Sequence, residues 1–180
     1  REAMEGKHFQ EFKDIDYLPE KLGKRVLTTG GHFGYLKIAE GCDKHCTYCI
    51  IPKLRGKFRS VPMERLVTQA KEMAEEGVKE LILVAQETTV YGTDIYGKKS
   101  LHVLLKELCK IKGIRWIRVL YCYPEEIYDE LIQTMKEEKK ICHYLDLPIQ
   151  HASDRILKRM GRRTTQAELV AIVNKLRQEI

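Results

Sequence analysis

A short apolar strand followed by an amphipathic helix recurs four times along this chain, and that recurrence constrains the fold more than any other feature. "FGYLKIAEG" has the alternation and aromatic content of a strand. After it, Pro62 opens a helix carrying Met63, Leu66, Val67, Ala70, Met73 and Ala74 at helical spacing, closed by Gly77. "ELILVAQ" is an unbroken apolar run of the kind expected for a parallel strand covered on both faces. Ser100 stands at the cap of the next helix, with Leu101, Leu104, Leu105, Leu108 and Ile111 on one side, and Gly113 ends it. "RWIRVLYCYP" then reads as a strand and "EEIYDELIQTMKEEKK" as a helix, acidic in its first turn and basic in its last, as the macrodipole favours. The fourth unit is "YLDLPIQ" and a short helix from Ser153 to Gly161. A last helix opens with Thr165 and Glu168 in capping-box spacing.

Strand-then-helix units of similar length predict a parallel sheet with right-handed crossovers, either doubly wound or bent into part of a barrel. Both place a ligand at the carboxyl ends of the strands. The segments to search are therefore "EGCDKHCTYC", "QETTVYG", "YCYPE" and "QHASD".

The first holds Cys42, Cys46 and Cys49 within eight residues, with no fourth cysteine at comparable spacing. Zinc closed by His45, His151 or an outside ligand is one reading, and an RNA-binding module without catalysis would follow from it. An electron-transfer ferredoxin needs a fourth thiolate per cluster. A cube of four irons held by three thiolates instead leaves one iron open, so that a small chelating molecule can bind it, as in a catalytic metal site.

Composition narrows the class. With 180 residues, 43% hydrophobic and 32% charged, the chain is an ordinary globular one, and six cysteines without an export-like apolar opening point to metal or redox use in the cytoplasm. No segment reads as a membrane span. Cys109, Cys122 and Cys142 lie scattered in apolar segments and read as packing residues. A net charge of +6 permits an anionic partner without requiring one. The polar opening reads as a lead-in over residues 1–33, the core follows at 34–180, and because the last helical pattern has no stop signal, more protein is expected beyond it.

Cys-x3-Cys-x2-Cys with an aromatic, Tyr48, before the last cysteine resembles the signature loop of the radical S-adenosylmethionine (SAM) enzymes. That resemblance implies a partial (βα) barrel. It also implies a 4Fe-4S cluster on Cys42, Cys46 and Cys49, SAM chelating the open iron through its amino and carboxylate groups, and one-electron cleavage to a 5'-deoxyadenosyl radical, with Tyr48 supporting the adenine. "YLKIAEGCDKHCTYCIIPKLRGKFRS", "ELILVAQETTVYGTDIYGK", "IRVLYCYPE" and "YLDLPIQHASDRILKRMGRR", covering nearly all of residues 35–163, are similar to the methylthiotransferases.

"QETTVYG" and "LYCYPE" fit the branch that modifies an aspartate β-carbon in a small-subunit ribosomal protein. The tRNA-adenosine branch, the alternative, carries "QNVNSYG"-like residues there. The first branch often reads Gln-Asp-Thr-Thr where this chain has Glu87. The resemblance further implies a second 4Fe-4S cluster on an amino-terminal domain, RNA contact through a TRAM domain, a ribosome-associated protein substrate and an electron donor that the sequence does not name. Its barrel has six units where four are visible here.

By position, Gln86, Glu87, Thr88 and Thr89 are candidates for the SAM amino group, with Glu87 or Thr88 favoured; the other reading is a polar loop satisfying its own backbone. Gln150, His151 and Ser153 are candidates for ribose or carboxylate, Ser153 equally for a helix cap. Asp146, inside an apolar strand, needs a partner if buried. Lys53, Arg55, Lys57 and Arg59 form a basic run suited to a solvated face, to steering an acidic partner or to holding a carboxylate.

Overall fold

The structure is a computed structural model that describes residues 2–6, 8, 14–16 and 30–180; the expected lead-in over 1–33 therefore lies largely outside the described residues. Four strands form one parallel sheet: β1 (Phe33–Lys37), β4 (Glu80–Val84), β5 (Trp116–Val119) and β6 (Ile141–Leu145), paired in that order. A small antiparallel ribbon, β2 (Ala39–Glu40) and β3 (Arg59–Ser60), brackets the cysteine loop. The helices are α1 (Ile51–Arg55), α2 (Met63–Glu75), α3 (Thr93–Tyr96), α4 (Leu101–Cys109), α5 (Asp129–Glu137), α6 (Asp154–Arg159) and α7 (Gln166–Glu179). Among the described residues no helix is long and apolar enough to cross a membrane.

The sequential strand order decides between the two architectures left open by the pattern. A doubly wound sheet reverses direction part-way, whereas one that always adds the next strand on the same side keeps its crossover helices on one face and curls toward a barrel. This chain does the second. In register, Gly34, Leu81 and Ile117 form one row and Leu36, Leu83 and Val119 the next, all buried toward α2, α4 and α5. Tyr35, Ile82 and Arg118 alternate to the other face, where Tyr35 is exposed and the other two are partly so. The apolar run in β4 is thus fully covered on one face only, short of the two-sided cover expected of it.

Three more local expectations change. The fourth strand is Ile141–Leu145, earlier than "YLDLPIQ" suggested, so Asp146 stands just past the strand end. There its Oδ2 accepts from Tyr121 N–H at 3.2 Å and its carbonyl from Cys122 N–H at 2.9 Å. Ser100 occupies the cap position of α4, but its hydroxyl donates to Lys98 O and makes no cap bond. Ser153, at the cap of α6, also makes no side-chain cap bond. By contrast, Gly77, with φ of 102°, closes α2 in a Schellman turn, Gly77 N–H to Ala74 O and Val78 N–H to Met73 O. Thr165 and Glu168 form the full reciprocal capping box of α7.

Candidate active site

The chain leaves β2 and enters the cysteine loop through Gly41, whose φ of 79° and whose approach to the Lys57 carbonyl leave no room for a Cβ. Neighbours tie the loop down on several sides. Gly41 N–H donates to Gln86 Oε1 at 2.7 Å, Cys42 N–H to Gly56 O at 3.2 Å, and Phe58 N–H to Asp43 Oδ1 at 3.0 Å. At its far end, Thr47 N–H and hydroxyl donate to Met160 O and Arg159 O at the carboxyl end of α6. The loop is therefore held between the first, second and fourth units. Gly41→Ala should strain both backbone and packing, costing on the order of 2–4 kcal/mol in thermal or denaturant unfolding. An unchanged melting temperature would contradict that.

The three thiols differ in exposure. Cys42 and Cys46 are buried, Cys49 is exposed, and all three are free. Burial pushes the Cys42 thiol up, partly opposed by the Lys44 N–H that donates to its sulfur at 3.4 Å. Cys109 and Cys122, pushed by burial to about 12, sit in the helix-facing core as inert packing residues. Cys142 is only partly buried. Among the described residues no three His, Cys, Asp or Glu side chains converge on one point as a single metal ion requires. Thiolates that each take a different corner of a cube need no such convergence.

Beside the loop lies a cavity of about 760 Å³, whose lining includes Cys42, Cys46, Glu87, Lys99, Tyr123 and Arg162. Glu87, 1% exposed, follows β4; its Oε1 accepts from Thr89 N–H at 2.9 Å and from the Thr89 hydroxyl, while Oε2 is buried with no hydrogen-bond partner among the described residues. Burial pushes its carboxyl up to about 7, against the pull of the Thr89 donors and of Lys44. Arg162 is the complementary group. Its side chain is 1% exposed, with Nη2 donating to Glu125 Oε2 at 3.1 Å and Pro148 O at 3.0 Å, while Nε and Nη1 have no acceptor among the described residues. A buried carboxylate oxygen and buried guanidinium donors on one cavity form a cradle for a small zwitterion.

The other candidates sit elsewhere. Thr88 is fully buried and donates to Leu120 O at 2.8 Å, locking the end of β4 to that of β5. Gln86 clamps Gly41. Gln150, with φ of 65°, and Ser153 are exposed, and Ser153 N–H donates to the equally exposed His151 Nδ1. None of these lines the cavity, though His45 does. Tyr48 is 52% exposed, so its ring packs in no core. In the basic run, Lys53, Arg55 and Lys57 are exposed, whereas Arg59 is spent on Asp16 Oδ1 at 3.0 Å and on the Ile15 and Arg55 carbonyls.

Tyr123 and Arg162 escaped the sequence reading. A tyrosine directly after Cys122, four residues past the end of β5, and an arginine just after the glycine closing α6, are the available signals.

Residues 36–180 match the radical SAM superfamily. The chain belongs to that family. It is 68% identical over 178 residues to the ribosomal protein uS12 methylthiotransferase RimO of Lachnoclostridium phytofermentans (strain ATCC 700394 / DSM 18823 / ISDg), across 99% of this chain and 40% of the relative. To the RimO of Clostridium botulinum (strain Eklund 17B / Type B) it is 56% identical over 182 residues, across 100% and 41%. The chain thus spans about 40% of the length of these curated relatives. Among solved structures, the radical SAM methyltransferase TsrM from Kitasatospora setae, with tryptophan and a SAM analogue bound, superposes with a TM-score of 0.65 at 16% identity, over 83% of this chain and 29% of that one. The cobalamin-dependent radical enzyme OxsB gives 0.61 at 17% identity, over 77% and 21%. These two likenesses concern the fold, and they agree with the barrel-like strand order.

Proposed function

We propose that this chain is the SAM-cleaving domain of a methylthiotransferase that modifies an aspartate β-carbon in a small-subunit ribosomal protein. The observation that carries it is the cavity at the strands' carboxyl ends, where free thiols meet a buried carboxylate with one oxygen unpartnered among the described residues and a buried cation with spare donors. The relatives reported above carry the ribosomal-protein name, which supports that substrate over a tRNA adenosine. Family membership speaks against the zinc-module alternative.

Cys42, Cys46 and Cys49 would hold three irons of a 4Fe-4S cluster, which with SAM supplies one-electron cleavage of the sulfonium carbon–sulfur bond. Glu87 Oε2 accepts an N–H of the methionine amino group. Arg162, through its spare donors, takes the carboxylate and neutralises it inside the cavity. The Tyr48 ring, free of core packing, offers its face to the adenine. Gln86 and Asp43 hold the loop backbone so that the thiols keep their places without reorganisation. A second cluster on an amino-terminal domain and a TRAM domain complete the proposal for the longer protein, which acts in the cytoplasm.

Anaerobic reconstitution tests this reading. About four irons and four sulfides per chain, with broad visible absorption and release of 5'-deoxyadenosine from SAM under strong reductant, are expected. A colourless protein that takes up stoichiometric zinc and leaves SAM intact would overturn it.

A further inference from the structure

Tyr123 is held against the cluster loop more firmly than a packing aromatic needs. Its Oη lies 3.6 Å from Cys46 Sγ. The backbone aims it there: Tyr121 adopts φ of 59°, Cys122 turns into the core, and Pro124 starts the next turn in a buried position. The ring is pinned by the Arg162 guanidinium, whose Cζ is 4.2 Å from its centroid, and approached by Lys44 Nζ at 5.3 Å. Each cation is itself fixed, Arg162 by Glu125 and Pro148 O, Lys44 by Glu126. Of the other contacts to the loop sulfurs, Lys44 N–H donates to Cys42 at 3.4 Å, and the exposed Tyr48 hydroxyl is a second phenol within reach of Cys46.

Once Cys46 is a thiolate, it has no proton to give, so the phenol must be the donor in this pair. A hydrogen bond to a ligating sulfur draws electron density from the metal, and cations nearby favour the state that carries one more electron. Both effects stabilise the reduced form. Resting on the cluster assignment proposed above, we infer that Tyr123 is a positioning residue that raises the reduction potential of the cluster through its hydrogen bond to Cys46, with Arg162 holding the ring in place. Tyr123 keeps its own proton throughout. One electron arrives from a low-potential one-electron reductant, and no bond at the phenol breaks.

The test is a mediated redox titration of the reconstituted protein, followed by the electron paramagnetic resonance signal of the reduced cluster. Tyr123→Phe preserves the ring and its cations and removes only the hydroxyl. Its midpoint should fall, by an amount corresponding to an about tenfold smaller equilibrium constant for reduction, or about 59 mV for one electron. A midpoint equal to that of the unmodified protein overturns the inference. Placing 3,5-difluorotyrosine at position 123 gives a stronger donor of nearly the same shape, and should move the midpoint the other way. If Tyr123→Phe fails to hold a cluster, this second variant decides alone: no rise in its midpoint overturns the inference. Failure of the unmodified protein to bind any cluster would strike the functional reading instead, so the two failures are distinguishable.

Discussion

Cys49→Ala is expected to remove the cluster and with it all reductive cleavage of SAM, while leaving the fold of the cluster-free chain unchanged. The separation follows from exposure. Cys49 is exposed, and its described loop bond, Cys49 N–H to Cys46 O at 3.0 Å, belongs to the backbone and survives in alanine. Exposed substitutions away from caps and special backbone usually stay within about 0.5 kcal/mol. The melting temperature of the cluster-free variant should therefore match that of the unmodified chain. Losing one of three ligands is a different matter for the metal. The expected loss of activity is well beyond the roughly 10–100-fold that removal of an outer-shell partner costs.

Cys42→Ala and Cys46→Ala should give the same iron-free result, but both thiols are buried, so cluster loss there would be mixed with lost packing. Iron content, visible absorption and 5'-deoxyadenosine release, read beside thermal unfolding, make the check. Normal iron uptake by Cys49→Ala would remove that residue from the ligand set.

What the sequence made legible follows the range of the interactions involved. Periodicity, glycine closures and the Thr165–Glu168 box act over a few residues, and α2, β4, α5 and α7 appear where those signals fall, β4 within its apolar run. The apolar pattern places β6 too late because apolar residues continue past its end, Leu147 and Ile149, while the strand itself carries exposed His143 and Tyr144 on the outer edge of the sheet. An edge strand with one open side lacks the continuous apolar run used to find it. The cysteine loop was visible as spacing. Its surroundings were not, because the groups that complete the site come from the ends of other units: Glu87 after β4, Tyr123 after β5 and Arg162 after α6. Thr88 and Glu87 are adjacent in sequence and equally polar. Only the fold shows that one is spent on backbone carbonyls and the other keeps an oxygen at the cavity with no hydrogen-bond partner among the described residues.

That oxygen makes Glu87→Gln a substitution with two large effects of opposite sign. In the ligand-free chain, burial raises the carboxyl from 4.5 to about 7, so the folded state binds a proton more tightly than the unfolded one. Stability therefore falls as pH rises from about 4.5 through about 7, and above that the folded chain carries the full cost of an ionised buried carboxylate, about 3 kcal/mol. Glutamine has no charge to desolvate and can keep the bonds from Thr89. The variant should be more stable than the unmodified chain at pH 8 by up to about 3 kcal/mol, with the difference shrinking toward zero near pH 4.5.

SAM reverses the sign. An ionised Oε2 accepting an N–H from the methionine amino group makes a charge-assisted bond worth about 1.5–3 kcal/mol, so replacing it should weaken SAM binding by roughly tenfold to a hundredfold. In the unmodified protein that affinity should rise with pH up to about 7, as the carboxyl gives up its proton, and then level off. Melting curves across pH in the absence of SAM, and calorimetric titration with SAM on the reconstituted protein, separate the two effects. A variant less stable at pH 8, or one that binds SAM as tightly as before, would show that the buried oxygen is partnered in some other way and serves the fold, leaving another group to receive the amine.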